Sequence, residues 1–132
     1  MRVIIAGTRS LASQEYVERA MRECGLTPTC VVSGGCRGVD ASGEVWAGKH
    51  NVPCVRYPAQ WSTHGRAAGP IRNAEMADNA DALVCVWDGK SRGTRDMLDR
   101  AIAKGLLVYV LCPWPWKLPA IYEPLTQPLS NT

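Results

Sequence analysis

The run Val31-Val32-Ser33-Gly34-Gly35-Cys36-Arg37-Gly38-Val39-Asp40 is where the chain declares its architecture. A β-branched apolar pair enters three glycines within five positions, with an arginine among them, and an acid leads into a predicted helix from Ala41 to His50. A strand that ends in glycines before a helix brings backbone N–H groups up to a phosphate. Glycine tolerates φ > 0 and lacks the side chain that would hold a ligand away. The helix start adds its partial positive charge at the same spot. The spacing is neither the dinucleotide fingerprint G-x-G-x-x-G nor a Walker A loop, because no Gly-Lys-Ser/Thr follows. Taken alone, this loop reads equally well as a tight strand-to-helix turn.

Similar junctions recur on either side. Arg2 to Ala6 is an apolar run that ends at Gly7-Thr8-Arg9-Ser10 and predicts a strand buried on both faces. Ser13 is placed to cap a helix carrying Tyr16, Val17, Ala20 and Met21, with Gly25 as its stop. Strands are predicted over Thr29–Val32, Pro53–Tyr57, Ala82–Trp87 and Leu106–Leu111. Between the third and fourth lies the most polar part, Pro58 to Asn73, expected as a long functional loop, with Pro70 in the first turn of a helix running to about Asn79. A second glycine-bearing loop, Asp88 to Thr94, precedes a helix from about Arg95 to Lys104.

Strands alternating with helices give a parallel sheet covered on both faces: an α/β, Rossmann-like three-layer sandwich with five mainly parallel strands. Residues 1–112 form the domain. Residues 113–132, rich in proline, form a tail expected to pack extended through Trp114, Trp116, Leu118 and Tyr122, its last residues loose. Ligands of such sheets bind at the carboxyl ends of the strands. The loops after the first four strands therefore converge on one cleft.

Composition narrows the chemistry. The 132 residues suffice for one core, and 46% hydrophobic with 20% charged residues is ordinary for a soluble domain. A net charge of +3 is too small to argue for nucleic acid. Arg9, Arg37, Arg66, Arg72, Arg92 and Arg95 fall in or beside the strand-to-helix loops, which suits a small anionic ligand. None of the six cysteines forms a C-x-x-C pair, so no metal and no cofactor is expected. Cysteines that fall mostly within predicted strands, as small core residues, with no signal peptide and no membrane-length run, point to a reduced, cytoplasmic protein without a membrane partner.

The order Gly-Thr-Arg, Ser-Gly-Gly-x-Arg-Gly-x-Asp, Gly-Arg-Ala-Ala-Gly-Pro-x-Arg-Asn and Gly-x-x-Arg-Gly-Thr-x-Asp-Met resembles the YspA-like branch of the SLOG superfamily, over about residues 1 to 111. The resemblance implies a Rossmann-like fold that binds nucleotide-derived ligands. Relatives include LOG phosphoribohydrolases and domains that sense signalling nucleotides such as cyclic ADP-ribose forms. Many members are small and encoded by phages or mobile elements. LOG enzymes carry Pro-Gly-Gly-x-Gly-Thr-x-x-Glu. Here Gly93-Thr94 matches, implying a phosphate role for that turn, but Met97 stands at the position of the catalytic glutamate. Asp96 is adjacent, and one residue along a helix is roughly 100° of rotation, so it is expected to point elsewhere.

The expected ligand contacts follow loop by loop: Gly7, Thr8 and Arg9; Ser33, Gly34, Gly35, Arg37, Gly38 and Asp40; Trp61, Arg66, Gly69, Pro70, Arg72 and Asn73; and Asp88, Gly89, Arg92, Gly93 and Thr94. If the protein is an enzyme, glycosidic cleavage needs a carboxylate, and Asp40 and Asp88 are the candidates. Asp40 reads more readily as a first-turn acid favoured by the helix dipole, and Asp88 equally as a holder of ribose hydroxyls. Arg37 suits phosphate, Arg72 with Asn73 suits a base or ribose, and Trp61 suits stacking or the pocket rim. His64 reads as incidental. Cys36 has no histidine nearby in sequence and is not assigned as a nucleophile. Two functions stand: a sensor or phage-type sponge that sequesters a signalling nucleotide, and a LOG-type nucleotide N-glycosidase. DNA binding, as in the DprA relatives, is disfavoured by the low charge. A homo-oligomer completing the pocket across a two-fold is expected.

Overall fold

The structure is a computed structural model, and it describes residues 1–11 and 14–126. The expected helix cap at Ser13 and the end of the tail lie outside the described residues. Five strands, β1 (Arg2–Gly7), β2 (Cys30–Ser33), β3 (Cys54–Arg56), β4 (Ala82–Val86) and β5 (Leu107–Leu111), form one parallel sheet in the order β3-β2-β1-β4-β5. Ile4 of β1 pairs in register with Val32 of β2 and Leu83 of β4. This is the Rossmann-like fold that the alternation of strands and helices requires.

The apolar runs of β1 and β4 follow from their central place, since both faces of these strands are covered. Every residue of β4 is buried. Helices α1 (Gln14–Glu23) and α2 (Val39–Lys49) cover one face, where Val17, Met21 and Trp46 pack on Val3, Ile5 and Val84. On the other face, Met76 of α4 (Ala68–Asp78) and Met97 and Leu98 of α5 (Arg92–Ala103) pack on Ile4, Val32, Leu83 and Cys85. Two separate apolar layers therefore sandwich the sheet.

Three local expectations are corrected. Most of the supposed loop 58–73 is helical: α3 (Trp61–His64), a 3-10 turn (Gly65–Ala67) and then α4, so Arg72 and Asn73 stand on a helix. Residues 61–67 are exposed on all sides and carry no apolar stripe, which is why their turns left no periodic signal. Helix α5 begins at Arg92, ahead of the expected Arg95. Ser91 caps it, its hydroxyl accepting from the Thr94 N–H at 3.5 Å, and Arg92, Gly93 and Thr94 become its first turn.

The third correction concerns the tail. Trp116 packs against the α1/α2 layer, and Leu118 and Tyr122 join the α4/α5 layer. Trp114 is 89% exposed instead of anchoring the tail, because it sits in a turn closed by the Trp116 N–H donating to the Pro113 carbonyl. Residues Ala120–Thr126 form a 3-10 helix where an extended run was expected. No helix among the described residues is long and apolar enough to cross a membrane.

Candidate functional site

A cleft of about 680 Å³ opens at the carboxyl edge of the sheet, beside the ends of β1 and β4. There the chain order reverses, with β2 and β3 on one side and β5 on the other, so the loops part and leave a crevice. Its walls come from the loop after β1, the loop before α2, the first turns of α4 and α5, and Trp61.

Thr8 and Asp88 join the two central strand ends. The Thr8 hydroxyl donates to Asp88 Oδ1 at 3.3 Å and accepts from the Asp88 N–H at 3.1 Å. The same carboxylate oxygen accepts from the N–H groups of Lys90 at 2.8 Å and Ser91 at 2.9 Å. Partial burial would raise this carboxyl, but the donors from Ser91, Lys90 and Thr8 outweigh it and hold Asp88 below its ordinary value. Asp88 is thus an ionised clasp for the β4–α5 loop.

Asp40 lies in the first turn of α2, buried, and its Oδ2 accepts from the Cys36 N–H at 3.3 Å. Burial pushes its carboxyl up to about 6, against the pull of the Cys36 N–H and the Arg72 guanidinium. Arg72 is itself only 8% exposed. Its Nη1 donates to the Gly34 carbonyl at 2.7 Å and its Nε to Asn73 Oδ1 at 3.0 Å. Asn73 Nδ2 in turn donates to Asp96 Oδ2 at 3.0 Å and to the Gly93 carbonyl at 3.3 Å, tying α4 to α5.

Two glycines of the opening stretch serve the protein itself. A Cβ on Gly34 would stand 2.6 Å from Arg72 Nη1 and 2.8 Å from Asp40 Oδ2, so its missing side chain is the space those groups share. Gly38 has φ +78, and a Cβ there would stand 2.3 Å from the Arg9 carbonyl, which locks the loops after β1 and β2 together.

Of the residues expected to meet a ligand, Gly7, Thr8, Arg9, Arg37, Asp40, Trp61, Gly69, Pro70, Arg72, Asn73, Asp88, Arg92, Gly93 and Thr94 are brought together around the cleft. Ser33, Gly34, Gly35, Gly38, Arg66 and Gly89 are not among its lining. The Ser33 hydroxyl donates to Glu44 at 2.7 Å, Arg66 is exposed on the 3-10 turn, and Gly89 lies beneath the Lys117 carbonyl. His64 is exposed and outside the lining.

Sequence reasoning missed Ala6, Ser10, Cys36, Met76, Lys90, Ser91, Asp96 and Met97 as lining. Asp96 is a correction: it faces the cleft and holds Asn73, because the side of α5 turned toward α4 is wide enough to include both Asp96 and Met97. The S-x-x-T spacing of Ser91 and Thr94 was the available signal for the α5 cap. Among the described residues, Arg9, Arg37, Lys90 and Arg92 line the cleft without forming an ion pair.

A family model described as the YspA, cpYpsA-related SLOG family matches residues 1–64. Gene 61 protein of Mycobacterium phage D29 is 34% identical over 116 residues, spanning 81% of this chain and 93% of the phage protein. The chain belongs to the YspA, cpYpsA-related SLOG family. The X-ray structure of DNA processing protein A (DprA) from Streptococcus pneumoniae superposes with a TM-score of 0.69 at 15% identity. That match covers 86% of this chain, which spans about half, 51%, of the DprA chain, and it establishes the shared fold. Membership in a SLOG family points to a nucleotide-related ligand, in keeping with a cleft at the strand ends lined by several cations.

Proposed function

We propose that the protein binds a phosphorylated nucleoside or nucleotide derivative in this cleft and sequesters or senses it without cleaving it. The observation that carries this is the set of cations Arg9, Arg37, Lys90 and Arg92, which line one cleft and form no ion pair among the described residues. Cations left unpaired around a concave site match a ligand with more than one negative group. Trp61, 51% exposed at the rim, offers a face for a base. Met97 supports binding over hydrolysis, because an apolar side chain buried in the α4/α5 layer occupies the position of the LOG glutamate. A signalling nucleotide such as a cyclic ADP-ribose form fits this description. The phage relative is consistent with a product acting in the cytoplasm of an infected bacterial cell. A homodimer would close the open rim.

One observation favours the hydrolase reading. Asp40 is a buried carboxyl in the cleft wall, pushed up to about 6 by burial, and such groups serve as proton donors near neutral pH.

Incubation with a nucleotide panel that includes cyclic ADP-ribose isomers distinguishes the two by mass spectrometry. Intact ligand released only on heat denaturation is the expected result. Free base with ribose phosphate, accumulating with turnover, would replace it with the N-glycosidase.

A further inference from the structure

Residues 116–122 pass from one apolar layer to the other, over the loop that brings Lys90 to the cleft. Trp116 packs on the α1/α2 side, and Leu118 and Tyr122 pack on the α4/α5 side. Between them the Lys117 carbonyl sits against Gly89 and leaves no room for a Cβ. The bare face of Gly89, at φ +79, therefore receives the tail and not a ligand.

Tyr122 anchors this segment. It is buried, and its ring meets Trp87 edge-on, with centroids 5.4 Å apart at 80°. Its hydroxyl donates to Asp99 Oδ1 at 2.6 Å, and the Arg95 guanidinium lies 5.7 Å from its ring centre, both partners standing on α5. Trp87, also buried, donates its indole N–H to the Ser91 carbonyl at 3.1 Å, and Ser91 caps α5. The loop between β4 and α5 is thus fastened twice. Thr8 and the Asp88 carboxylate hold it at the cleft, and the tail holds it from behind. That wall carries Lys90 and Arg92, two of the cations lining the cleft, whereas Arg95 and Tyr122 are outside the lining.

We propose that residues 116–122 form a strap that sets the β4–α5 wall of the cleft, with Tyr122 the positioning residue for Lys90 and Arg92. The physical reason is the cost of ordering. Long cationic side chains on a shifting loop must be ordered when an anion arrives, and that cost is subtracted from affinity. A backbone already fixed from behind removes part of it before binding. Tyr122 acts only through Trp87, Ser91 and α5. Its effect on affinity rests on the nucleotide reading of the cleft, and its effect on the loop does not.

Amide hydrogen exchange of the full chain, read by mass spectrometry without ligand, tests the strap. The N–H groups of Lys90, Ser91, Thr94 and Arg95 are hydrogen-bonded and report opening of this wall. Tyr122→Leu keeps an apolar side chain in the layer but removes the aromatic edge and the hydroxyl. It should speed exchange at 89–95 by about tenfold and leave α2 at the parental rate. Tyr122→Phe, which keeps the ring on Trp87 and Arg95, should stay within about twofold of the parent. Should the leucine variant not fold, Arg95→Gln, at an exposed position, tests the same anchorage with a smaller shift in the same direction. Equal acceleration in α2 and at 89–95, or none at 89–95, would overturn the proposal. Titration with ADP as the probe should show about tenfold weaker binding in Tyr122→Leu and near-parental binding in Tyr122→Phe. Unchanged affinity in the leucine variant would also overturn it. A parent that takes up no nucleotide of the panel counts against the nucleotide reading, and the exchange rates still decide the strap.

Discussion

Arg72 fills the space that a side chain on Gly34 would need: the Gly34 carbonyl accepts from Arg72 Nη1 at 2.7 Å, and a Cβ would stand 2.6 Å from that same nitrogen. Gly34→Ala should therefore push the guanidinium off the carbonyl and away from Asp40. The expected loss is about 1–3 kcal/mol of stability, from overpacking and a weakened buried hydrogen bond. Urea unfolding checks it, and an unchanged midpoint would mean that Arg72 has another resting place.

Asp40 gives a pH dependence with a defined sign. Its folded value, about 6, lies above the ordinary 3.8, so the native state holds the proton more tightly than the unfolded chain. The stability it contributes is full below the ordinary value and is lost as pH rises through the folded one. At neutral pH the buried charge costs on the order of 3 kcal/mol. Asp40→Asn should thus be more stable than the parent at neutral pH, and the gap should close as both are acidified toward pH ~4. Denaturation at a series of pH values measures that gap. A variant less stable than its parent at neutral pH would show that the charge is favourable where it sits.

Arg37 is exposed and forms no ion pair among the described residues, so Arg37→Ala should leave unfolding unchanged while lowering affinity for the cleft ligand by about tenfold or more. Calorimetric titration with the nucleotide recovered from the panel, alongside a thermal melt, separates the two effects.

Met97→Glu restores the residue type of LOG enzymes but places a carboxylate where a 2% exposed side chain packs on the sheet. The expected result is a loss of roughly 2–4 kcal/mol of stability, from an uncompensated polar group buried in the apolar layer, with no glycosidase activity gained. Base release by this variant in a coupled assay would put the hydrolase reading first.

The sheet was legible because its inner strands are apolar runs ending in loops, and β4, buried on both faces, carries five apolar residues from Ala82 to Val86. The convergence of Thr8, Arg37, Arg72 and Asp88 followed from parallel topology alone. Several contacts did not show in the sequence because they belong to three-dimensional neighbours distant along the chain. Gly34 looked like a phosphate glycine and makes room for an arginine 38 residues away. Asp96 looked misdirected because a rotation of one residue was counted as leaving the face of α5, while that face takes in both Asp96 and Met97. Cys36 lacked a histidine nearby in sequence, and its sulfur instead meets two arginines from other segments. Trp114 read as an anchor because hydrophobicity reports a tendency to be buried, while the turn over 113–116 fixes where the ring points.

The two apolar layers lie on opposite faces of the sheet, and the cleft draws on both. Arg37 and Asp40 belong to the side of α1 and α2, Arg72 and Asn73 to that of α4 and α5, and Thr8 with Asp88 clasps them at the middle. A molecule seated there acts as a rivet through the sandwich. Its arrival should slow amide hydrogen exchange on both faces at once, in α2 as much as in α4, since neither half can open without letting go of it.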